Sequence, residues 1–252
     1  MENLPPSIRS LAETAHIIQT TVGMSKDDVY RIESDAIYYL KIGQDLSAEK
    51  ERLQWLDTKL PIPQIVHHEV YQGEHFLLTS AIQGVMMMSA DLPVSWRIDL
   101  MAEAARMWHS LDMSDCPFDN TIRHQIKYAR QKLDNEQVDE RRFHSQFYGK
   151  TAHELYADLL NAMPDDEDED LAVTHGDLCL PNILVDEQTG QITGFVDLGE
   201  IGVSDRHLDL VLASRSIQYN LGSKWIKRFY DAYGMKRDNL KYHFYSILNE
   251  FY

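Results

Sequence analysis

The residues whose types and spacing best suit catalysis lie in THGDLCLPN, residues 174–182, and in GFVDLGE, which contains Asp197. Asp177 and Asn182 precede one short apolar run, and Asp197 follows a second one. Carboxylate and amide oxygens suit Mg²⁺, which proteins usually hold through one or two carboxylates plus substrate phosphates. The remaining carboxylate can accept a hydroxyl proton, so the set fits phosphoryl transfer. The alternative is that all three are ordinary turn and cap residues.

A lysine that could hold phosphates lies in the strand-like segment AIYYLKIG. Alternation along a strand places Tyr39 and Lys41 on one face and Leu40 on the other. One face could then present an aromatic ring to a base and an ammonium group to phosphates. Glu49 opens the next helix and could pair with Lys41, although a surface ion pair of little energetic value is the alternative. Tyr39 could equally be a core residue.

The elements that must position these residues form two groups. Strand-like segments occupy the first eighty residues: DDVYRIES, DAIYYLKIG and HFLLTSAI. A helix, AEKERLQWLDTKL, interrupts them; it carries Leu53, Leu56 and Leu60 on one face and is stopped by Pro61. NILVDEQTGQITGFVD predicts a hairpin around EQTG.

Helical periodicity dominates after Ser95, which we predict to be the N-cap of WRIDLMAEAARMWHSLDM. Two further helices are predicted, one from Ser223 to Gly234 and one in RDNLKYHFYSILNEFY. The last of these carries an apolar stripe of Leu240, Phe244, Ile247, Leu248 and Phe251. We therefore predict an α+β fold with a small β-rich N-lobe (1–83), a linker region (84–94) and a larger, mainly helical C-lobe (95–252).

The composition indicates an acidic cytoplasmic protein. Its 24 basic and 40 acidic residues give a net charge of −16, and six acids form the run DDEDED at 165–170, which we expect to be a solvated loop. Such a surface disfavours nucleic acid and anionic membranes and favours cationic small molecules, or it provides solubility alone. Two cysteines, no N-terminal apolar region and no long apolar run fit a reduced cytosol. We expect a monomer or a weak dimer.

THGDLCLPNILVD followed by GFVDLGEIGVSDRHLDL resembles the aminoglycoside 3′-phosphotransferase family, which has a two-lobed protein-kinase-like fold. The resemblance continues through VGMS, YLK, WLDTKLPIP, HSLDMSDCP and SILNEFY, and so covers nearly the whole chain. It implies that Asp177 is catalytic and that Asn182 and Asp197 bind metal. His175 would brace the turn. The nucleotide-binding residues that it implies are Ser25, Tyr39, Lys41, Glu49, Ser80 and Ile82.

The chain departs from the family where the cationic substrate is expected to bind. Glu200 stands after the DLG segment, where family members often have arginine. Arg141 and Arg142 lie in a loop where acids were expected. The C-terminus has an amide, Asn249, in place of one expected carboxylate, which leaves as candidate substrate residues Glu200, Glu250 and Tyr252.

The resemblance implies a kinase that uses ATP or GTP with Mg²⁺. It would transfer the γ-phosphoryl group to a hydroxyl of an aminoglycoside antibiotic and so confer resistance. One alternative is a kinase of another small amino or sugar alcohol. A second alternative is a nucleotide-binding module without catalytic activity.

Overall fold

The computed structural model describes residues 4–13, 15–20, 28–165 and 168–252. The chain divides into two compact units. The first comprises Met1–Gly84 and Thr193–Gly199, and the second comprises Val85–Ile192 and Glu200–Tyr252. Among the described residues, no helix combines the length and apolar character that a membrane crossing requires.

The first unit is built on a five-stranded antiparallel sheet with the strand order β1-β2-β3-β5-β4. Its elements are α1 (Pro6–Glu13), β1 (His16–Gln19), β2 (Asp28–Glu33), β3 (Ile37–Gly43), α2 (Ser47–Leu56), β4 (Ile65–Tyr71) and β5 (Glu74–Ser80).

Side-chain alternation along β3 follows the predicted pattern. Leu40 is fully buried with Leu78, and Tyr38 and Ile42 pack against the same cluster. Tyr39, on the opposite face, is 36% exposed. The central position of β3, paired with β2 on one side and β5 on the other, fixes its register and therefore the direction of Lys41.

Helix α2 is shorter than predicted. Leu53 and Leu56 are buried as expected, but the helix ends at Leu56, and Leu60 lies outside it. Thr58 has a φ of 69°, which helical backbone cannot accommodate. A left-handed residue, rather than Pro61, therefore marks the end of the helical region.

The second unit is mainly helical and contains two small strand groups, β10-β7 and β6-β8-β9. Its elements are β6 (Val85–Met86), α3 (Val94–His109), α4 (Ile122–Asp134), α5 (Ala152–Asn161), β7 (Leu171–Thr174), β8 (Ile183–Asp186), β9 (Gln191–Phe195, which runs into the first unit), β10 (Gly202–Asp205), α6 (His207–Asn220), α7 (Ile226–Tyr233) and α8 (Asn239–Leu248). The predicted hairpin around EQTG corresponds to β8 and β9.

Several predicted helix details are wrong. Helix α3 begins at Val94 with Pro93 as its N-cap, so Ser95 is already helical. Ser223 begins a short 3-10 turn, and α7 starts only at Ile226. Leu240, the second residue of α8, is 81% exposed, although its neighbour Lys241 is buried.

Other predicted features of these helices are confirmed. Gly234 ends α7 with a left-handed φ of 94°. The helical periodicity predicted after Ser95 is present in α3, where Trp108 is fully buried, with Ala104 and Ala105 one turn earlier. The apolar stripe of α8 and the C-terminus is otherwise buried, at Phe244, Ile247, Leu248 and Phe251.

A buried charge cluster joins α8 to the start of α6. Lys241 Nζ lies 2.6 Å from Asp205 Oδ2, and His207 Nδ1 lies 2.7 Å from Asp205 Oδ1. Burial opposes ionisation of Asp205, but hydrogen bonds from His207 and Lys241 outweigh it and lower the Asp205 pKa. Lys241 also contacts the backbone carbonyl of Asp168. This part of the acidic run is therefore attached to the core and is not simply a solvated loop.

Candidate active site

A short turn after β7 carries the predicted catalytic residue. His175 is fully buried, and its ring packs edge-on against Trp108 with centroids 5.1 Å apart. The Asp177 amide donates to His175 Nδ1 at 3.2 Å. His175 therefore braces the turn as expected, and half-buried Asp177 follows a backbone that is held from inside.

Asp209 of α6 fastens the same turn from the core side. Its Oδ2 accepts a hydrogen bond from the His175 amide at 2.8 Å, and its Oδ1 accepts one from the Gly176 amide at 3.0 Å. The Asp209 side chain has no exposed surface. A carboxylate is costly to bury unless it is hydrogen-bonded, so these amides stabilise it while it fixes their position.

Asn182 lies at the end of a 3-10 turn, Leu180–Asn182, directly before β8. Its Nδ2 donates to both the backbone oxygen and Oδ2 of Asp177, each at 2.9 Å. Because Nδ2 faces Asp177, the amide oxygen Oδ1 faces away from that residue. Asp177 and Asn182 are therefore linked directly by hydrogen bonds, and the Asn182 amide oxygen is a possible metal ligand.

The first unit holds Lys41 in a defined position. Lys41 Nζ lies 2.6 Å from Glu49 Oε2, and each side chain is only 18% exposed. The predicted pairing is thus observed, and it is more sheltered than an ordinary surface ion pair. Solvent screening weakens the attraction within a sheltered pair less than within an exposed one. The Lys41 ammonium is therefore held in place beside β3.

Asp197 follows β9 in the first unit and is exposed. Its φ is +60°, a left-handed conformation that asparagine and aspartate tolerate better than most residues. Strained backbone of this kind concentrates at functional sites. In the described ranges, no group of three or more His, Cys, Asp or Glu side chains could hold a metal ion. A metal here would need amide and ligand oxygens as well.

Comparison with known proteins gives the chain its family. A model of the phosphotransferase enzyme family matches residues 18–245. The aminoglycoside 3′-phosphotransferase of Staphylococcus aureus is 32% identical, with 99% of this chain and 98% of that protein aligned. The chain belongs to the phosphotransferase enzyme family.

Solved structures agree with this assignment. The crystal structure of an aminoglycoside-3′-phosphotransferase of type VIII superposes on this phosphotransferase with a TM-score of 0.85 and 29% identity, covering 98% of this chain and 100% of that one. A Streptomyces rimosus aminoglycoside phosphotransferase, solved with ADP and streptomycin, gives a TM-score of 0.83 at 26% identity, with 97% of each chain covered. The predicted α+β kinase-like fold, and the prediction of an aminoglycoside 3′-phosphotransferase-like kinase, are confirmed.

The residues predicted to contact the base differ in their surroundings. The Ser80 amide donates to Gln64 O at 2.9 Å, and its hydroxyl accepts from the Gln64 amide at 3.0 Å. Ile82 is half-buried, and a Cβ built on Gly194 would lie 2.5 Å from Ile82 Cδ1. The N–H of Ser80 is therefore already used within the sheet, which leaves Ile82 as the better candidate. Ser25 lies outside the described residues.

Glu200 of this phosphotransferase packs its backbone against the turn. Gly176 has a φ of +84°, and a Cβ added there would overlap the Glu200 carbonyl. The Glu200 carbonyl also accepts a hydrogen bond from Asn120 Nδ2 at 2.9 Å, which fixes it. Glycine is therefore required at residue 176 both by its backbone angle and by the lack of space.

Gly176→Ala tests this close approach, and Gly149→Ala is its matched control. Gly149 has nearly the same φ, +87°, with nothing within 4 Å of an added Cβ. We expect Gly149→Ala to lower the free energy of unfolding by about 1 kcal/mol. The Gly176→Ala variant should lose about 3 kcal/mol because overlap adds to the backbone strain. Equal losses in urea unfolding would contradict a backbone contact at Glu200.

The residues predicted to bind the phosphoryl acceptor differ in their exposure and in their partners. Glu250 is buried and internally paired: its Oε1 lies 2.7 Å from Arg215 Nη2, and its Oε2 accepts from the His144 amide at 2.8 Å. Tyr252 is 45% exposed and stacks on Tyr128 with centroids 4.7 Å apart. Burial and the nearby Glu200 carboxylate raise the pKa of the Tyr252 phenol. Glu250 is therefore poorly placed for a substrate ammonium group, whereas exposed Glu200 is better placed.

One arginine of the predicted substrate loop is paired with a neighbouring acid. Arg141 forms a two-pronged contact with Asp139, with its Nε 2.8 Å from Oδ1 and its Nη2 2.9 Å from Oδ2. The Arg141 side chain is 89% exposed. Its charge is thus locally balanced on the surface.

Sequence reasoning missed Asp209, although it lies in the quoted segment SDRHLDL. Leucines and valine surround it in DLVLA, and a lone acid in a strongly apolar helix signals a buried carboxylate that must have partners. His109 was also missed: its Nε2 lies 3.2 Å from Asp209 Oδ2. The amphipathic pattern of α3 gave no indication of that contact.

Proposed function

We propose that this phosphotransferase transfers the γ-phosphoryl group of ATP or GTP to a hydroxyl of an aminoglycoside antibiotic and so confers resistance. The observation that carries the proposal is the braced Asp177, whose carboxylate is bonded to Asn182 and whose turn is fastened to buried Asp209. Relatives that align over nearly the whole of both chains, and that are named aminoglycoside 3′-phosphotransferases, support the substrate class.

Asp177 would orient the acceptor hydroxyl and accept its proton as transfer proceeds. Its carboxylate is half-buried and oriented by Asn182 Nδ2, so it is pre-organised before substrate binds. Pre-organised groups need no reorientation during reaction, and this is a large part of what an active site contributes.

Lys41 would position the nucleotide phosphates, and Glu49 would hold Lys41 in place. Tyr39, exposed on the same face of β3, would stack on the base, and the backbone near Ile82 would bond to it. Asn182 and Asp197 offer hard oxygen ligands, which fit Mg²⁺. When bound, Mg²⁺ neutralises charge on the nucleotide oxygens.

On the acceptor side, Glu200 and the C-terminal residue Tyr252 would bind substrate ammonium groups. Glu200 is exposed and its backbone adjoins the turn that carries Asp177. The overall charge of −16 would favour the approach of a polycation. Glu250 would act indirectly, by tying the C-terminal turn to Arg215.

A second candidate acceptor is another amino or sugar alcohol. The internal pairing of Glu250 and the amide at Asn249 favour it, because both reduce the negative charge near the C-terminus. The nucleotide chemistry would be unchanged.

ADP release with a panel of acceptors separates the two candidates. We expect release with kanamycin and neomycin, which carry a 3′-hydroxyl, and none with macrolides. Release with simple amino alcohols and with no 3′-hydroxyl aminoglycoside would favour the second candidate and overturn the first. Mass spectrometry of the acceptor, showing one added phosphoryl group, distinguishes transfer from nucleotide hydrolysis.

A further inference from the structure

A series of hydrogen-bonded polar side chains leads from the surface of the second unit to the turn before Asp177. Arg206 pairs with Asp170 at 2.9 Å, and its Nη1 lies 3.2 Å from the Tyr233 hydroxyl. The hydroxyl lies 2.7 Å from His109 Nδ1. His109 Nε2 then lies 3.2 Å from Asp209 Oδ2, which holds the turn.

The direction of each hydrogen bond in this series follows from which groups can donate and which can accept. Arginine can only donate, so the Tyr233 oxygen accepts from Arg206. Burial raises the pKa of the Tyr233 phenol, so it keeps its proton, and His109 Nδ1, 2.7 Å away, accepts that proton in a hydrogen bond. His109 must then carry its proton on Nε2 and donate it to Asp209.

Asp209 is the last acceptor in this series of hydrogen bonds. It accepts from His109 and from the amides of His175 and Gly176, and its side chain has no exposed surface. His109 is almost as deeply buried, with 3% of its side chain exposed. Water therefore cannot readily replace a lost donor, and the direction of each hydrogen bond depends on the one before it.

We propose that His109 and Tyr233 are positioning residues: they orient Asp209 through one directed series of hydrogen bonds, and Asp209 in turn sets the position of the turn that carries Asp177. This inference rests on the proposed catalytic role of Asp177. Each would act through Asp209 and not by direct contact with substrate.

Tyr233→Phe breaks the series at one atom. Without the hydroxyl, His109 Nδ1 loses its donor, and the ring is fixed only through its Nε2–H bond to the Asp209 carboxylate. The turn amides should then lose part of their anchor. Tyr230→Phe is the matched control because it removes a hydroxyl from the other tyrosine of α7, which is buried and lies outside the series.

Native-state amide exchange measured by NMR reads the turn directly. We expect the His175 and Gly176 amides to exchange about tenfold faster in Tyr233→Phe than in Tyr230→Phe, because about one hydrogen bond's worth of anchoring is lost. The ¹⁵N shifts of His109 should show the Nε2–H tautomer in the wild type. Equal exchange in both variants, or an Nδ1–H tautomer in the wild type, would overturn the inference.

Kinetics supply the second readout. We expect kcat to fall about tenfold in Tyr233→Phe with both KM values unchanged, because only the catalytic carboxylate is displaced. His109→Gln, which keeps a donor for Asp209, should retain more activity than His109→Leu. Faster exchange of the turn amides with wild-type kcat would refute the positioning role. If the wild type phosphorylates no acceptor, the proposed function fails, whereas exchange and tautomer still decide whether the series exists.

Discussion

Replacing Asp177 with asparagine is expected to lower turnover by about a hundredfold to ten-thousandfold while nucleotide affinity stays nearly constant. Asparagine has the same shape, and its oxygen can still accept the bond that Asn182 Nδ2 makes to the carboxylate, at 2.9 Å in the wild type. The turn is held through backbone amides and His175, so it should not move. What is lost is the negative charge that accepts a proton.

The measurement is kcat for phosphoryl transfer together with the Kd for the nucleotide by calorimetry. Asp158→Asn is the control, since Asp158 is a surface acid of α5 paired with Lys150. Wild-type turnover in Asp177→Asn would remove Asp177 from the mechanism. A loss of both turnover and nucleotide binding would instead point to a damaged fold, which melting temperature would reveal.

Replacing Lys41 with methionine should have the second largest effect. We expect kcat/KM for the nucleotide to fall about a hundredfold, the size of loss that removal of one fixed donor from a developing negative charge produces. Methionine retains the length of the side chain and so preserves packing along β3, whereas the ammonium charge disappears. Glu49 would remain partly buried without its partner, at 18% exposure.

Glu49→Gln completes this experiment. It leaves the Lys41 charge but weakens its anchor, so we expect a smaller loss than in Lys41→Met. Lys59→Met is the control for loss of a lysine in the same unit, because Lys59 is exposed and lies over Trp55. If Lys41→Met and Lys59→Met bind nucleotide equally well, Lys41 does not hold phosphates.

The sequence predicted the local pieces of the site well where one strand or turn determines them. Alternation along β3 correctly separated Leu40 from Tyr39, and the interval between Lys41 and Glu49 correctly suggested an ion pair. The HGD turn and its asparagine were recognised as one group, and Asn182 does bond to Asp177. Short-range geometry is sufficient for such features.

Contacts between distant parts of the chain were not predictable in the same way. Asp209 and His109 meet the turn from α6 and α3, and no spacing in the sequence links these residues. Glu250 was expected to face substrate, yet Arg215, thirty-five residues earlier, pairs with it. The sequence pattern identifies which residues could take part in chemistry, but tertiary packing decides which partners they contact.

Helix boundaries failed for a related reason. Leu60 and Leu240 fit the apolar periodicity of their helices, but a left-handed residue at Thr58 ends α2, and Leu240, near the start of α8, is 81% exposed. Periodicity extends past the point where the helix still faces the core. Such ends are set by local backbone conformation and by the neighbouring elements.

A crystal structure with Mg²⁺ and a non-hydrolysable ATP analogue tests the central claim most directly. We predict that Asn182 Oδ1 and the Asp197 carboxylate ligate the metal, with Lys41 Nζ on the phosphates and the Asp177 carboxylate facing the γ-phosphoryl group. A nucleotide bound with its metal on other residues, and with Asp177 remote from the γ-phosphoryl group, would contradict the proposed site.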